Sequence, residues 1–320
     1  MIVDRQLSNE PRASVATRDA FGKALLALGE ENESVVVLSG DLAESTRAQL
    51  FGERFPNRFF EMGISEQDLM GTAAGMALHG KIPFVCTYAA FGTGRAYDQV
   101  RISIAYTGAN VKIALTHAGL SVGEDGASAQ TLEDIALMSA LPGMIVLVPA
   151  DANETFSAVK AAAAYQGPVY LRMGRSGTPL LDIPDADWQI GKVREMRSGT
   201  DVTVVACGAM VALAMDAAEI CALQDISVQV INMHTIKPVD EAGLIASARH
   251  TGKVVVAEEH SIFGGLGSIV ARVLAQNCPV PMRFIAVRDS FGESGTPEQL
   301  MQKHGLAATD IVQAVSELVE

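Results

Sequence analysis

Residues 61–68 read Glu61-Met62-Gly63-Ile64-Ser65-Glu66-Gln67-Asp68, and small and apolar residues follow as far as Leu78. This run predicts a helix, and a helix so apolar around its circumference is expected to be buried. Ser65 is placed to cap it, with Asp68 completing a capping pair. Glu66 then lies in the first turn, either as an ordinary acid that suits the helix dipole or as a carboxylate that burial prepares for proton exchange.

The composition is that of a globular chain that can bury a large core. The chain has 320 residues, of which 49% are hydrophobic and 19% charged, so we expect one large or two medium domains. Its 24 Lys+Arg against 37 Asp+Glu give a net charge of −13. This charge argues against nucleic acid or an anionic membrane as the main partner, while a local Arg/His cluster can still bind a small anion.

The cysteines and the first residues favour a cytoplasmic protein. The four cysteines (Cys86, Cys207, Cys221 and Cys278) show no Cys-x-x-Cys spacing, so we expect reduced core thiols and no metal site. Residues 1–12 are polar and charged, without an apolar signal segment. The longest apolar runs have the length of strands, which predicts no membrane span.

Short β-branched runs alternate with helical patterns along the chain. The predicted strands of the first half are residues 35–38, 82–86, 111–115, 144–148 and 169–171. The predicted helices there are residues 18–28, 67–78, 95–105, 132–139 and 154–165. Nearly continuous apolar strands are typical of parallel strands covered on both faces, so the pattern predicts a doubly wound α/β sheet.

The alternation is interrupted and then resumes. Residues 176–191 are rich in Gly, Pro and Asp and predict a linker or crossover. The strands predicted beyond it are residues 202–206, 226–231 and 253–258, and the helices are residues 210–222, 241–248, 266–275 and 311–318. We therefore expect two doubly wound α/β domains, residues 1–178 and 193–320, joined by a linker at 179–192.

Polar segments follow the predicted strands, where ligands of open parallel sheets bind. Asp41, in Ser39-Gly40-Asp41, is either a ligand contact or a helix cap. Tyr88 and Phe91 lie three residues apart in a loop of small residues. They are either a stacking platform for a flat heterocycle or ordinary core aromatics.

Two further segments carry charged or titratable groups. His117 and Asp125 lie in a long Gly-rich loop, a type that is often functional, although a single loop histidine is also a common surface residue. Arg172 and Arg175 follow the strand predicted at 169–171, and guanidinium groups bind phosphate or carboxylate in a bidentate manner. Alternatively, these two arginines form ion pairs with the acidic linker.

These segments, in order, resemble the pyrimidine-binding domain of transketolases. The resemblance is carried by Met62-Gly63-Ile64-Ser65-Glu66, the Tyr88/Phe91 loop, Thr116-His117, Gly123-Glu124-Asp125-Gly126 and Val148-Pro149-Ala150-Asp151. The related 1-deoxyxylulose-5-phosphate synthase is similar at Arg95-Ala96-Tyr97-Asp98-Gln99 and Glu258-Glu259-His260-Ser261. Ile236-Lys237-Pro238-Val239-Asp240 and Gly264-Gly265-Leu266-Gly267 resemble the C-terminal domain of the superfamily. The implied fold is a pyrimidine-type domain that binds thiamine diphosphate, followed by a transketolase C-terminal domain.

The resemblance implies roles for individual residues. In such enzymes a glutamate at the position of Glu66 hydrogen-bonds the aminopyrimidine ring of thiamine diphosphate and promotes the proton transfer that activates the cofactor. The other implied cofactor contacts are Phe91, which stacks on that ring, and Tyr88, Asp41 and Ile64. The implied substrate contacts are His117 (also catalytic), Arg172 and Arg175 for the sugar phosphate, and Asp125 for a hydroxyl.

Two positions depart from the transketolase pattern. Gly94 stands where a third aromatic is usual, and Ala129 stands where a histidine usually contacts the substrate near its reacting carbonyl. The loss of this imidazole puts the usual donor sugar in question. A modified sugar, such as a sulfonated one, is therefore an open alternative.

The diphosphate-binding half of such an enzyme is missing from this chain. Gly40-Asp41-Leu42 lacks the second glycine of the usual Gly-Asp-Gly segment, and no suitable asparagine follows. We therefore expect a partner subunit to supply the Mg²⁺ ligands and the diphosphate site, and none of the metal ligands to come from this chain. The implied assembly is a heterotetramer in which this chain also dimerises with itself.

The leading hypothesis is the C-terminal subunit of a split transketolase that transfers a two-carbon ketol unit between sugar phosphates. One rival is the beta subunit of a 2-oxo-acid dehydrogenase decarboxylase, which has a similar size and domain order. The Gly-Glu-Asp-Gly loop and the two arginines favour the transketolase. A second rival is a non-catalytic partner, against which the retention of Glu66 argues.

Overall fold

The first half of the chain alternates strands and helices, as the sequence predicts. The computed structural model describes residues 13–181 and 188–320. The strands up to residue 181 are β1 (Ser14–Ala16), β2 (Val35–Ser39), β3 (Phe59–Glu61), β4 (Ile82–Cys86), β5 (Lys112–Leu115), β6 (Ile145–Leu147), β7 (Val169–Arg172) and β8 (Gly177–Pro179). The α-helices are α1 (Thr17–Glu31), α2 (Ala43–Thr46), α3 (Gln49–Arg54), α4 (Glu66–Leu78), α5 (Tyr97–Gln99), α6 (Asp134–Ser139) and α7 (Ala152–Ala164). All five strands predicted in this half are confirmed.

The second half repeats the alternation. Its strands are β9 (Arg194–Arg197), β10 (Val202–Ala206), β11 (Val228–Asn232), β12 (Thr235–Lys237), β13 (Val254–Ser261) and β14 (Met282–Val287). Its helices are α8 (Met210–Ala222), α9 (Glu241–Thr251), α10 (Leu266–Asn277), α11 (Pro297–Lys303) and α12 (Ala308–Val319). The three strands and four helices predicted here are confirmed. The sequence did not predict β9, β12, β14 or α11.

Two sheets organise these elements, and both are mainly parallel. The first has the order β12-β6-β7-β5-β4-β2-β3 and the second the order β14-β13-β10-β11-β9. Only β12 in the first sheet and β9 in the second run antiparallel to their neighbours. Every residue of β2 and of β10 is buried, as expected for strands covered by helices on both faces. The predicted α/β class is confirmed.

The two halves share a sheet, which the sequence did not predict. Strand β12 belongs to the second half but pairs with β6 of the first, with Thr235 opposite Leu147. Lys237 strengthens this junction, because its ammonium group donates to the carbonyls of Ser139 (2.9 Å) and Leu141. A three-residue strand is too short to show a sequence period, so only the tertiary structure reveals the pairing.

The single helix predicted for residues 95–105 is wrong. The chain instead forms a π-helical turn at Phe91–Arg95, the short helix α5, and a second π-helical turn at Val100–Ala105. The wider turn is visible in the bond from the Tyr106 amide to the Arg101 carbonyl, five residues earlier. Such turns are frequent at functional sites.

Helix α4 is present, but two expectations about it are wrong. The Ser65 hydroxyl donates to the Met62 carbonyl (2.7 Å) and makes no cap bond to the helix. Burial is confined to one face, which includes Glu66, whereas the Leu78 side chain is 67% exposed. The rest of the helix surface is partly or fully exposed.

Part of the predicted linker is ordered strand. Strand β8 pairs antiparallel with β1, with Thr178 opposite Val15. The acidic residues Asp182, Asp185 and Asp187 lie outside the described residues. The domain boundaries at 178 and 193 stay predictions.

Candidate functional site

The predicted site segments meet at one edge of the first sheet. Strands β2, β4, β5 and β7 are parallel neighbours, so their carboxyl ends lie side by side. Ligands of such sheets bind at this edge. The chain after these strands carries Asp41, Tyr88, His117 and Arg175, and the first turn of α4 brings Glu66.

Glu66 is a buried carboxylate held by one arginine. Its side chain is 4% exposed. The Arg95 Nη1 atom lies 3.0 Å from the Glu66 Oε1 atom. The Arg95 guanidinium also lies over the Phe91 ring, 4.4 Å from its centroid. One planar group that carries N–H donors therefore touches both the acid and the aromatic face.

Tyr88 links Phe91 to the histidine loop. Its ring centroid is 5.5 Å from that of Phe91 and 3.7 Å from that of His117, and both pairs are stacked. A parallel bridge between Tyr88 and Thr116 fixes the two loops to each other. The three predicted residues Tyr88, Phe91 and His117 thus form one continuous surface.

His117 is buried, and its hydrogen bonds define its tautomer. The Arg18 Nη1 atom lies 3.2 Å from His117 Nε2, and the Thr116 hydroxyl lies 2.8 Å from His117 Nδ1. Since arginine only donates, Nε2 accepts, and Nδ1 carries the proton and donates to Thr116. Burial, followed by the charges of Arg18 and Arg175, lowers the pKa of His117 to about 3. The imidazole is therefore neutral at physiological pH.

A group of arginines surrounds this histidine, and sequence reasoning missed two of them. Burial and the neighbouring Arg47 charge lower the pKa of Arg18, and the Arg18 Nε atom is buried without a hydrogen-bond partner. Arg47 and Arg175 add positive charge near His117. Arg18 lies in the first turn of α1, where the helix dipole disfavours a cation. That conflict is the signal by which the sequence could have identified it.

The two predicted substrate arginines have different surroundings. The Arg172 Nε atom donates to Asp134 Oδ2 (2.7 Å), and its Nη2 atom donates to the Glu259 carbonyl (2.9 Å) in the second domain. Arg175 is half-buried and pairs with Glu124 at 2.8 Å. None of these three partners belongs to the acidic linker. Arg175 lies with the cluster around His117, and Arg172 is directed into the domain interface.

The other predicted positions lie around the same edge. Asp41 adopts a positive φ of 62°, and its amide donates to the Glu61 carboxylate (2.6 Å). The Ile64 side chain is 74% exposed, beside the start of α4. Asp125 is exposed, and Ala129 is buried. The structure gives no direct contact between these residues and Glu66.

The residues present fit the aminopyrimidine end of thiamine diphosphate. The Arg95 guanidinium is a planar cation with N–H groups, and it reaches Glu66 while it stacks on Phe91. A flat heterocycle with an amino group needs the same pair of contacts. The Thr87 hydroxyl oxygen at this edge is buried without a hydrogen-bond partner, so it is available for a hydrogen bond to a ligand. Gly94, where the resemblance implied a third aromatic, faces open space.

Comparison with protein families identifies the fold. Residues 13–179 match the model of the transketolase pyrimidine-binding domain, and residues 191–311 match that of the transketolase C-terminal domain.

The chain belongs to the transketolase family.

Members of this family generally depend on thiamine diphosphate. Two related chains match this one over nearly their whole length. One is the 6-deoxy-6-sulfo-D-fructose transketolase subunit SqwH of Clostridium sp. (strain MSTE9), 40% identical over 95% of this chain and 94% of the relative. Another is a putative transketolase C-terminal section from Methanocaldococcus jannaschii, 42% identical over 94% and 95% of the two chains.

A solved structure described as a split gene transketolase, inactive beta4 tetramer, superposes with a TM-score of 0.89. It is 51% identical, and the match covers 95% of this chain and 98% of that one. The chain is therefore a transketolase-type subunit of the split kind, and the two rival readings are not favoured. Within residues 13–181 and 188–320, no helix is long and apolar enough to cross a membrane.

Proposed function

We propose that this chain is the C-terminal subunit of a split, thiamine-diphosphate-dependent transketolase. With a partner subunit, it transfers a two-carbon ketol unit between sugar phosphates or to and from a modified sugar. The observation that carries the proposal is the joint contact of Glu66 and Phe91 with one planar N–H group. No other pair of predicted site residues shares such a group.

Each cofactor residue has a defined task in this proposal. Thiamine diphosphate supplies the thiazolium carbon at which carbon–carbon bonds form and break. The Glu66 carboxylate exchanges a proton with the pyrimidine ring, a role that suits a buried acid at the head of a helix. Phe91 stacks on the pyrimidine, and Tyr88 fixes the position of Phe91 relative to His117. Asp41 and Ile64 flank the cofactor.

The substrate residues suit an anionic sugar. His117 is neutral, so its Nδ1–H and Nε2 atoms can donate and accept hydrogen bonds to hydroxyl or carbonyl groups. Arg18 and Arg175 supply positive charge for a phosphate. Asp125 accepts from a sugar hydroxyl. Arg172 remains a proposed substrate residue, although its guanidinium is already engaged with Asp134.

A sulfonate, like a phosphate, is a tetrahedral anion whose oxygens can accept hydrogen bonds from arginine. One relative is named for 6-deoxy-6-sulfo-D-fructose, and this chain carries Ala129 in place of the usual histidine. A modified sugar with an anionic end group is therefore included in the proposed substrate class. Parallel assays with a ketose phosphate and a sulfonated ketose distinguish the two donors.

The partner is proposed to be an N-terminal subunit that carries the diphosphate site and the Mg²⁺ ligands. The single chain exposes large apolar side chains at the two ends of α4 and after the π-helical turn that packs against it, namely Ile64 (74%), Leu78 (67%) and Tyr106 (85%). Such apolar surface is typical of an interface with another subunit. A heterotetramer, with self-association of this chain, would cover it.

Replacement of Glu66 by Gln tests the catalytic proposal. Gln keeps the shape of the side chain but cannot exchange a proton with the ring nitrogen. With the partner, thiamine diphosphate and Mg²⁺ present, we expect turnover to fall about a hundred- to ten-thousand-fold while assembly persists. An exposed acid, replaced as Glu33→Gln, is the matched control. Near-full turnover of the Glu66→Gln variant would refute the role of Glu66.

A further inference from the structure

The loop that carries Asp125 contains a short 3₁₀-helical segment, Leu120–Asp125. This glycine loop, residues 119–129, turns at three glycines with positive φ: Gly119 (89°), Gly123 (81°) and Gly126 (75°). Such angles are readily adopted only by glycine, and glycine loses more conformational entropy on folding than other residues. Contacts from outside the loop also hold it: the Ser121 amide donates to the Glu259 carboxylate, and the Arg175 Nη1 atom donates to the Val122 carbonyl.

Gln130 supplies such contacts at the end of the glycine loop. Its side chain is 7% exposed. Its Nε2 atom lies 3.3 Å from the Leu120 carbonyl and 3.2 Å from the Gly123 carbonyl, both within the loop. The same atom lies 2.9 Å from the Glu293 carbonyl in the second domain. Two amide hydrogens shared among three carbonyls tie the loop to that domain.

The second domain is shaped to receive this side chain. A Cβ atom on Gly292 would lie 1.8 Å from the Gln130 Oε1 atom, so glycine is required for this close approach. The same segment touches the loop glycines directly. A Cβ on Gly126 would lie 2.6 Å from Ser294 Oγ, and one on Gly123 would lie 3.2 Å from Pro297. Residues 292–297 thus form the surface on which the glycine loop rests.

We propose that Gln130 is a positioning residue that clamps the glycine loop, and with it Asp125, to the second domain. None of the cofactor contacts proposed above comes from the second domain. Through the clamp, the second domain would help to hold Asp125 in position for the substrate. This inference rests on the proposed function, because it assigns Asp125 to a substrate hydroxyl. Its tests are therefore divided into one that needs no activity and one that does.

Hydrogen exchange on the full chain tests the clamp itself. Gln130→Glu keeps the size of the side chain but replaces the donating nitrogen with an oxygen that faces three carbonyls. We expect amides of residues 120–126 to exchange about three- to tenfold faster, the change expected for one lost hydrogen bond. Gln130→Ala should have the same effect, as should Gly292→Ala, which acts from the second domain. The exposed Gln224→Glu is the matched control. Unchanged exchange in the folded Gln130 variants would overturn the clamp.

A double-mutant cycle in the assembled enzyme tests its link to the substrate. Asp125→Ala and Gln130→Ala should each raise the KM for the ketose donor and leave thiamine diphosphate affinity unchanged. Because Gln130 acts through Asp125, the double variant should be no worse than Asp125→Ala alone. Losses that multiply would overturn the link. If Asp125→Ala leaves KM unchanged, the substrate role of Asp125 fails, and the exchange experiment still decides the clamp.

Discussion

Arg172→Ala should destabilise the protein far more than Arg175→Ala, although the two arginines are three residues apart. The Arg172 side chain is 6% exposed and that of its partner Asp134 is 0% exposed, at 2.7 Å. Removal of the arginine leaves a carboxylate buried without its countercharge, which costs about 3–5 kcal/mol. The pair of Arg175 with Glu124 has exposures of 32% and 61%, and such a pair contributes about 0–1 kcal/mol.

The measurement is urea unfolding of the full chain, followed by circular dichroism and by fluorescence of Trp188, the single tryptophan. Arg175→Ala is the control of the same residue type. A second substitution sharpens the test: Asp134→Asn in the Arg172→Ala background removes the stranded charge and should recover part of the loss. The Asn oxygen can still accept from the Tyr170 hydroxyl, which bonds Asp134 at 2.6 Å. Equal free energies of unfolding for the Arg172 and Arg175 variants would refute this reasoning.

The same pair gives a pH dependence with a defined sign. Burial is the largest single effect and opposes ionisation of Asp134, but the charges of Arg172 and His260 and the hydrogen bonds from Arg172 and Tyr170 together outweigh it, so the pKa of Asp134 is below its ordinary value of 3.8. Its contribution to stability is therefore present above about pH 4 and is lost as the pH falls through the lower folded pKa. In the Arg172→Ala variant, this acid-side loss should be smaller or absent, because burial then opposes ionisation of Asp134 without the Arg172 charge that lowers its pKa.

Three further predictions concern the site. His117 should stay neutral from pH 8 to pH 5 in an NMR titration, because its pKa of about 3 lies below the ordinary 6.5. The stability that it confers is present above about pH 6.5 and falls toward pH 3. A titration midpoint near 6.5 would contradict the burial argument. The isolated chain should bind thiamine diphosphate poorly even with Mg²⁺, since the metal that anchors the diphosphate is expected to be held by the partner. Tight binding of thiamine diphosphate in calorimetry would contradict a split site. Ala129→His should raise turnover of xylulose 5-phosphate and lower that of the true substrate, since it restores a hydrogen bond worth about 1–3 kcal/mol. If turnover of xylulose 5-phosphate does not rise, Ala129 does not determine substrate specificity.

The sequence alone determined the repeated strand–helix order and the sheet edge at which the predicted site residues meet. Strands such as β2 and β10 are apolar throughout because both of their faces are covered, and this leaves a clear pattern. Residues that follow parallel strands must meet at one edge, so the neighbourhood of Tyr88 and His117 could be predicted. The motifs around Glu66 then indicated the family.

Only the tertiary structure decided which groups touch. The partners of Arg172 are Asp134, 38 positions earlier, and the Glu259 carbonyl, 87 positions later. No local pattern encodes such a pairing. Arg18 meets His117 across 99 positions for the same reason. The shared sheet through β12 and the tie of Gln130 to Glu293 likewise depend on how the domains dock, because short strands and single amide contacts leave no period in the sequence.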